Sequence, residues 1–256
     1  FAVPMDDANG DVPIDSFKEN FKGVLSFIGI DQQTGGMDLS FQIEAPGINF
    51  DLSHAGKKKS GDWFFFSCYN SEKANTLLEV NASQNDKDFI MAVNWKKAAE
   101  LVKAGKGRKV TTEYAHNTWD ESTHSATSTM KKEVVVLSVE DMKDAMFMIP
   151  CPKSPHGCDV DPTGEYIIGS GKLAALIPVF SFDKMIKAIA DKNFAGEYDG
   201  VQVIKYEAAL HGEVQKPGLG PLHTEFDGKG NAYTSMFVSS EVVKWNIKDL
   251  KVLDRK

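Results

Sequence analysis

The chain has 256 residues, 42% hydrophobic and 25% charged, which is the balance of an ordinary globular protein with ample length to bury a core. A net charge of -7 argues against a nucleic-acid partner, which would require a basic face; the clusters Lys57-Lys58-Lys59 and Lys103 to Lys109 read as solvated loops or helix ends. The longest apolar stretch, around Leu173 to Phe180, falls far short of the ~18 residues of a membrane span.

The chain opens Phe1-Ala2-Val3-Pro4 without an initiator Met or signal peptide, and it stops at Lys256 just after a strand-like segment. Both ends look cut, so a piece of a longer chain is expected, with targeting information upstream. The three cysteines, Cys68, Cys151 and Cys158, show no CxxC spacing and suggest no disulfide framework. They read as buried or semi-buried structural thiols.

A short apolar, β-rich run that ends in an acidic or amide residue and then turns recurs along the chain. In order the copies are Phe27 to Asp31, Ile90 to Asn94, Val135 to Glu140, Val179 to Asp183 and Val243 to Ile247. The polar side chain can cap the turn by accepting from backbone N–H groups just beyond it. After the second copy, Trp95 to Ala104 is rich in helix formers and stops at Gly105. Asn117 to Met130, rich in Ser and Thr, predicts a surface loop. After the fourth copy a helix is predicted over Asp183 to Lys192, with Asp183 as N-cap.

A second repeat overlaps the first. His156-Gly-Cys-Asp-Val-Asp161-Pro-Thr-Gly164 resembles His223-Thr-Glu-Phe-Asp227-Gly-Lys-Gly230, each a hairpin turn between two strands with a histidine just before the first. Repeats of roughly 40 to 65 residues built from short strands indicate an all-β fold, a β-propeller with short helical insertions. The spacing predicts about four blades, read as part of a larger ring because blades bury their faces only against one another.

Of the six histidines, His116 and His124 flank the Ser/Thr segment and read as surface residues, and His54 and His211 have nothing metal-like near them in sequence. His156 and His223 differ. Each follows a lead-in of prolines and glycines, Pro152-Lys-Ser-Pro155 and Pro217-Gly-Leu-Gly220-Pro221, that would aim a side chain from a rigid loop. Equivalent positions of successive blades face the ring axis, so the two imidazoles should converge. Converging neutral imidazoles suit copper, zinc, iron or nickel, and repeated histidines in a propeller can also be structural.

Several segments resemble nitrous oxide reductases: Cys68-Tyr-Asn-Ser-Glu-Lys73, Ser154-Pro-His-Gly157, Gly171-Lys-Leu173, Gly218-Leu-Gly-Pro-Leu-His-Thr224, Asp227 to Ser235, and Val242-Val-Lys-Trp-Asn-Ile247. The resemblance implies that residues 1–256 form part of an N-terminal seven-bladed propeller, with a C-terminal cupredoxin domain and its two-copper centre lying outside the chain. It implies a tetranuclear copper-sulfide cluster on seven histidines, of which His156 and His223 are two. It also implies calcium on Tyr69, Glu72, the carbonyl of Val80 and Asp86, with Ser154 at the position where the family has Asn. Lys244 is expected near the cluster, where it would influence protonation of a copper-bound oxygen or hydroxide, an exposed strand lysine being the alternative. The implied activity is a copper-dependent oxidoreductase of denitrification that reduces nitrous oxide to dinitrogen and water. The implied setting is a periplasmic homodimer supplied with electrons by a cytochrome or small copper protein. A non-enzymatic propeller scaffold and a quinoprotein-like dehydrogenase are the competing readings; the latter would require a quinone-stacking Trp and acidic calcium ligands at the axis.

Overall fold

Two runs of the sequence, Phe64-Phe65-Phe66 and Phe89-Ile90-Met91-Ala92-Val93, are apolar without alternation, which for a strand means burial on both faces. The computed structural model describes residues 2–3, 23–71, 88–115, 119–120, 122, 125–126 and 129–256, and it gives that reading a concrete form. Phe65, Ile90, Ala92 and Phe147 face one buried cluster, while Phe66, Met91, Val93 and Met148 face another on the opposite side of the same sheet.

That sheet has the order β15 (Phe194–Tyr198), β16 (Val201–Ile204), β11 (Met146–Pro150), β6 (Phe89–Asn94), β5 (Trp63–Ser71) and β4 (Ile48–Ala55). Only the β11–β16 pairing in it is parallel. On one side it packs against a sheet with the order β1 (Ala2–Val3), β2 (Val24–Ile30), β3 (Met37–Glu44), β10 (Thr129–Leu137) and β7 (Arg108–Ala115), through Leu25, Phe41, Ile43 and Leu137. On the other side it meets the antiparallel sheet β12 (Pro155–Val160), β13 (Tyr166–Gly171), β14 (Leu176–Ser181) and β17 (Leu210–Gln215). Ile168, Ile177, Val179 and Val214 on the far face of this third sheet pack against Ala232, Met236, Val243 and Trp245 of a fourth. The fourth is a simple meander of β18 (Pro221–Phe226), β19 (Asn231–Met236), β20 (Glu241–Asn246) and β21 (Lys251–Arg255). Four sheets thus lie face to face in chain order, and the edge strands β4, β12 and β18 of three of them adjoin. We call these the inner strands.

The turn chemistry read from sequence is present at most of the predicted places. Asp31 Oδ1 accepts from the N–H groups of Gln33 and Thr34 at 2.7 and 3.1 Å. Asn94 caps α1 (Trp95–Lys103) by accepting from Lys97 N–H at 2.9 Å. Asn246 accepts from Lys248 and Asp249. The hairpin turns after β12 and β18 are held by Asp161 and Asp227, with Gly164 and Gly230 at positive φ. The Asn231 amide and nearby backbone N–H groups hold the Asp227 carboxyl down at about 2.

Three expectations are corrected. The cap of α2 (Phe182–Ala190) is Ser181, whose hydroxyl accepts from Lys184 N–H at 3.2 Å, and Asp183 sits in the first turn. The segment from Asn117 to Met130 is not simply a loop: β8 (Trp119–Asp120) pairs with β9 (Ser125–Ala126), and β10 begins at Thr129 opposite Ala115. The Lys57–Lys59 cluster is not merely solvated, because the Lys57 carbonyl lies against Gly164 and the Lys57 ammonium donates to the carbonyl of Val160 at 2.8 Å. A short helix, α3 (Tyr206–Ala209), precedes β17. Among the described residues no helix is long and apolar enough to cross a membrane.

Inside the fourth sheet the Trp245 indole N–H donates to Thr234 Oγ1 at 2.9 Å, and that hydroxyl lies 2.8 Å from Thr224 Oγ1. All three side chains are buried. Thr234→Val therefore strands one buried donor and one hydroxyl at once. The expected loss is about 1–3 kcal/mol, read as a lower urea midpoint at unchanged m-value.

Candidate metal centre

The candidate centre is assembled from the entry ends of the three inner strands, and each of these strands is irregular there. Opposite β13, the register of β12 shifts between Pro155 and Gly157, so His156 is the extra residue. Opposite β19, the register of β18 shifts between Pro221 and Thr224, across His223. In β4 it shifts between Phe50 and Ser53, across Asp51. A bulge bends its strand and re-aims the extra side chain. His156 and His223 are therefore strand residues turned by bulges, and not residues of the preceding loop as the sequence suggested.

The lead-ins matter for a different reason. Ser154 is held at φ +56°, its N–H donating to Asp88 Oδ2 at 2.8 Å and its carbonyl accepting from Lys172 N–H at 2.9 Å. Gly171 admits this loop, since a Cβ there would stand 2.3 Å from the carbonyl oxygen of Pro152. The next constraint is at Gly157, where a Cβ would come within 2.1 Å of the carbonyl oxygen of Leu222. Glycine alone lets β12 approach β18 that closely. The result is that the rings of His156 and His223 stand edge to face with centroids 4.8 Å apart. The two imidazoles chosen from sequence do converge.

Around them the structure gathers residues that the sequence did not point to. Asp51 Oδ2 lies 2.6 Å from Nδ1 of His156. The buried hydroxyl of Ser67 accepts from Leu52 N–H at 3.0 Å and donates to the His156 carbonyl at 2.6 Å, tying the β4 bulge to β12. Asp159 accepts from Thr224 N–H through Oδ2 at 2.6 Å, while its Oδ1 lies 3.4 Å from Nδ1 of His54 and 4.0 Å from Nδ1 of His223. His54, which sequence spacing left outside the site, thus stands beside it. No local motif marks Asp51 or Ser67, which come in on β4 and β5, whereas Asp159 lies on β12 itself, three residues after His156.

Lys172 is the lysine delivered to this cluster. Its ammonium lies 3.3 Å from Asp51 Oδ2 and 4.3 Å from the centroid of the Tyr69 ring. Lys244, the lysine singled out from sequence, has its ammonium 5.4 Å from the Tyr233 ring centroid and contributes to lowering Asp227. His211 lies against Tyr166 instead. His116, His124, Glu72, Val80 and Asp86 lie outside the described residues. Of the expected calcium ligands, Tyr69 and Ser154 are described; Ser154 is buried and both border Lys172.

Among the described residues no three His, Cys, Asp or Glu side chains form a group able to hold a metal ion. Two imidazoles are what the chain brings together there, and their chemistry fits copper as a partial ligand set. The cysteines are no part of it. Burial, first of all, pushes the thiols of Cys68, Cys151 and Cys158 upward, as it does for structural thiols.

No family model matches the chain. It is 36% identical over 216 residues to the nitrous-oxide reductase of Pseudomonas fluorescens, covering 83% of this chain and 28% of that one. It is 34% identical over 222 residues to the nitrous-oxide reductase of Stutzerimonas stutzeri, covering 86% of this chain and 29% of that one. The enzyme of Cupriavidus necator is 41% identical over 109 residues, 42% of this chain. The chain thus spans less than a third of the length of the curated relatives it matches.

Two predictions test this geometry. Gly157→Ala forces β12 away from β18 and is expected to cost about 1–3 kcal/mol, as overpacking does, seen as a lowered melting temperature. Alkylation of the native protein at pH ~8 should label none of the three cysteines, and all three after unfolding, counted by mass spectrometry.

Proposed function

We propose that this chain, a homologue of one segment of the nitrous-oxide reductases, supplies two imidazole ligands, His156 and His223, to the copper-sulfide centre of such an enzyme. The observation that carries the proposal is the pair itself. Two histidines chosen from separate repeats stand with ring centroids 4.8 Å apart, on adjoining strands bulged at those residues. The reading includes the propeller: the three sheets whose inner strands adjoin are taken as neighbouring blades of a seven-bladed ring.

The reaction is N2O + 2H+ + 2e− → N2 + H2O. Bound at this site, the four-copper sulfide cluster would supply several electron-rich centres able to bind an inert substrate and deliver both electrons. The chain's own work is to present neutral imidazole lone pairs at fixed positions and to keep water from one side of the site. His156, 23% exposed, is the shielded ligand; His223, 52% exposed, is the open one. Calcium on Tyr69, Glu72, Val80, Asp86 and Ser154 belongs to the same reading and rests on the resemblance, since the ammonium of Lys172 stands 4.3 Å from the Tyr69 ring centroid. The role read for Lys244 draws no support from its contacts, which are with Tyr233 and the Asp227 turn. A periplasmic setting, a homodimer and an electron-donating cytochrome or small copper protein follow from the relatives' kind of enzyme.

The chain has six histidines in all, fewer than the seven that hold the cluster in the family it resembles. We therefore propose that it acts within a longer polypeptide and that the 256 residues alone show no turnover. The test is copper analysis, after anaerobic reconstitution, of the protein that contains this segment, with nitrous oxide reduction by a reduced viologen. Copper and turnover are expected; His156→Ala and His223→Ala should abolish turnover and lower the copper content by the share of the cluster, leaving the two-copper centre of the other domain loaded. A copper-free protein, or variants whose copper content equals that of the wild type, would point instead to a scaffold with structural histidines.

A further inference from the structure

The geometry points to Asp51 as the positioning residue that decides which ring nitrogen of His156 is free to bind copper. The inference deepens the copper reading and rests on it only where copper itself is measured. In a neutral imidazole one nitrogen carries the proton and the other accepts. An ionised carboxylate only accepts, so a 2.6 Å contact between Asp51 Oδ2 and His156 Nδ1 requires the proton to sit on Nδ1. Nε2 is then the ring atom that keeps its lone pair, and it is the one through which His156 coordinates.

Asp51 is held for this task from two sides. Its carboxylate is paired with the ammonium of Lys172 at 3.3 Å, and both side chains are only 20% exposed, where salt screens little. Its backbone belongs to the β4 bulge, which Ser67 ties to the carbonyl of His156 itself through one hydroxyl. Carboxylate and imidazole therefore cannot drift apart without breaking a buried bond between their strands.

The arrangement recurs one strand along. Asp159 on β12 presents Oδ1 to Nδ1 of His223 on β18, while Oδ2 is occupied by Thr224 N–H. At 4.0 Å that contact is too long for a hydrogen bond, and His54 shares the same oxygen, so the proposal is confined to Asp51. The recurrence still makes a general point: in each case the carboxylate comes from the inner strand preceding that of the histidine. Ligand orientation is thereby tied to how the sheets pack.

The test reads the ring-nitrogen chemical shifts of His156 by 15N NMR in the metal-free protein, at pH ~8.5, about two units above the ordinary imidazole pKa. His156 is expected as the Nδ1–H tautomer. Asp51→Leu should turn it to Nε2–H, the form free imidazole side chains prefer, whereas Asp51→Asn keeps an acceptor oxygen and should retain Nδ1–H. In the reconstituted protein Asp51→Leu should hold copper against a chelator roughly 10–100-fold less tightly. Wild-type His156 found as Nε2–H would overturn the inference without recourse to any variant, as would an unchanged tautomer in folded Asp51→Leu. A wild type that shows Nδ1–H but takes up no copper would remove the copper reading and leave the Asp51–His156 bond standing.

Discussion

The strand Pro155–Val160 lies between two neighbours, and both contacts depend on how little projects from it. Toward β18 the absent side chain of Gly157 leaves room for the Leu222 carbonyl, and Asp159 then reaches the Thr224 N–H at 2.6 Å. Toward β4 the hydroxyl of Ser67 fills the space opposite the bulge and bonds to the His156 carbonyl. A buried polar group must find its partner or cost the fold free energy, so these bonds fix the spacing of three sheets rather than adorn it. The ring of His156 inherits its position from that spacing. Anything that widens the approach at Gly157 separates the two imidazoles even though neither is touched.

This division of labour explains which parts of the arrangement could be read from the sequence. Strand runs ending in Asp31, Asn94 and Asn246 were legible because capping is local: the side chain that accepts and the N–H that donates lie within three residues. The hairpins at Asp161–Gly164 and Asp227–Gly230 were legible for the same reason, and with them the periodicity that marks an all-β fold. His156 and His223 could be picked out because their lead-ins repeat. The cap at Ser181 was missed because two residues of capping type, Ser181 and Asp183, flank Phe182, and the choice between them depends on where the helix begins.

Asp51, Ser67, Asp159, His54 and Lys172 were illegible for a stricter reason. Each contact joins residues about 15 to 121 positions apart, and each depends on a bulge whose extra residue no local pattern announces. Bulges also account for the one systematic error about the histidines. A proline-rich lead-in suggests that the loop aims the side chain, but Pro155 and Pro221 open the strands, and the register shift just inside does the aiming.

Placing the two proposed ligands on bulged strands, with a carboxylate on the strand preceding each, has a consequence for how such a centre would form. A histidine oriented by its own hairpin would be preorganised before the sheets meet. His156 is not: its Nδ1 partner arrives with β4, more than a hundred residues earlier in the chain, and Lys172 reaches that carboxylate from the loop after β13. The pairing of His156 with Asp51 therefore exists only when neighbouring sheets have docked. Under the copper reading, mutual packing of the sheets and readiness to bind metal become a single cooperative property. A polynuclear centre needs this coupling, because its ligands come from sheets that must all be in place before any one imidazole is useful.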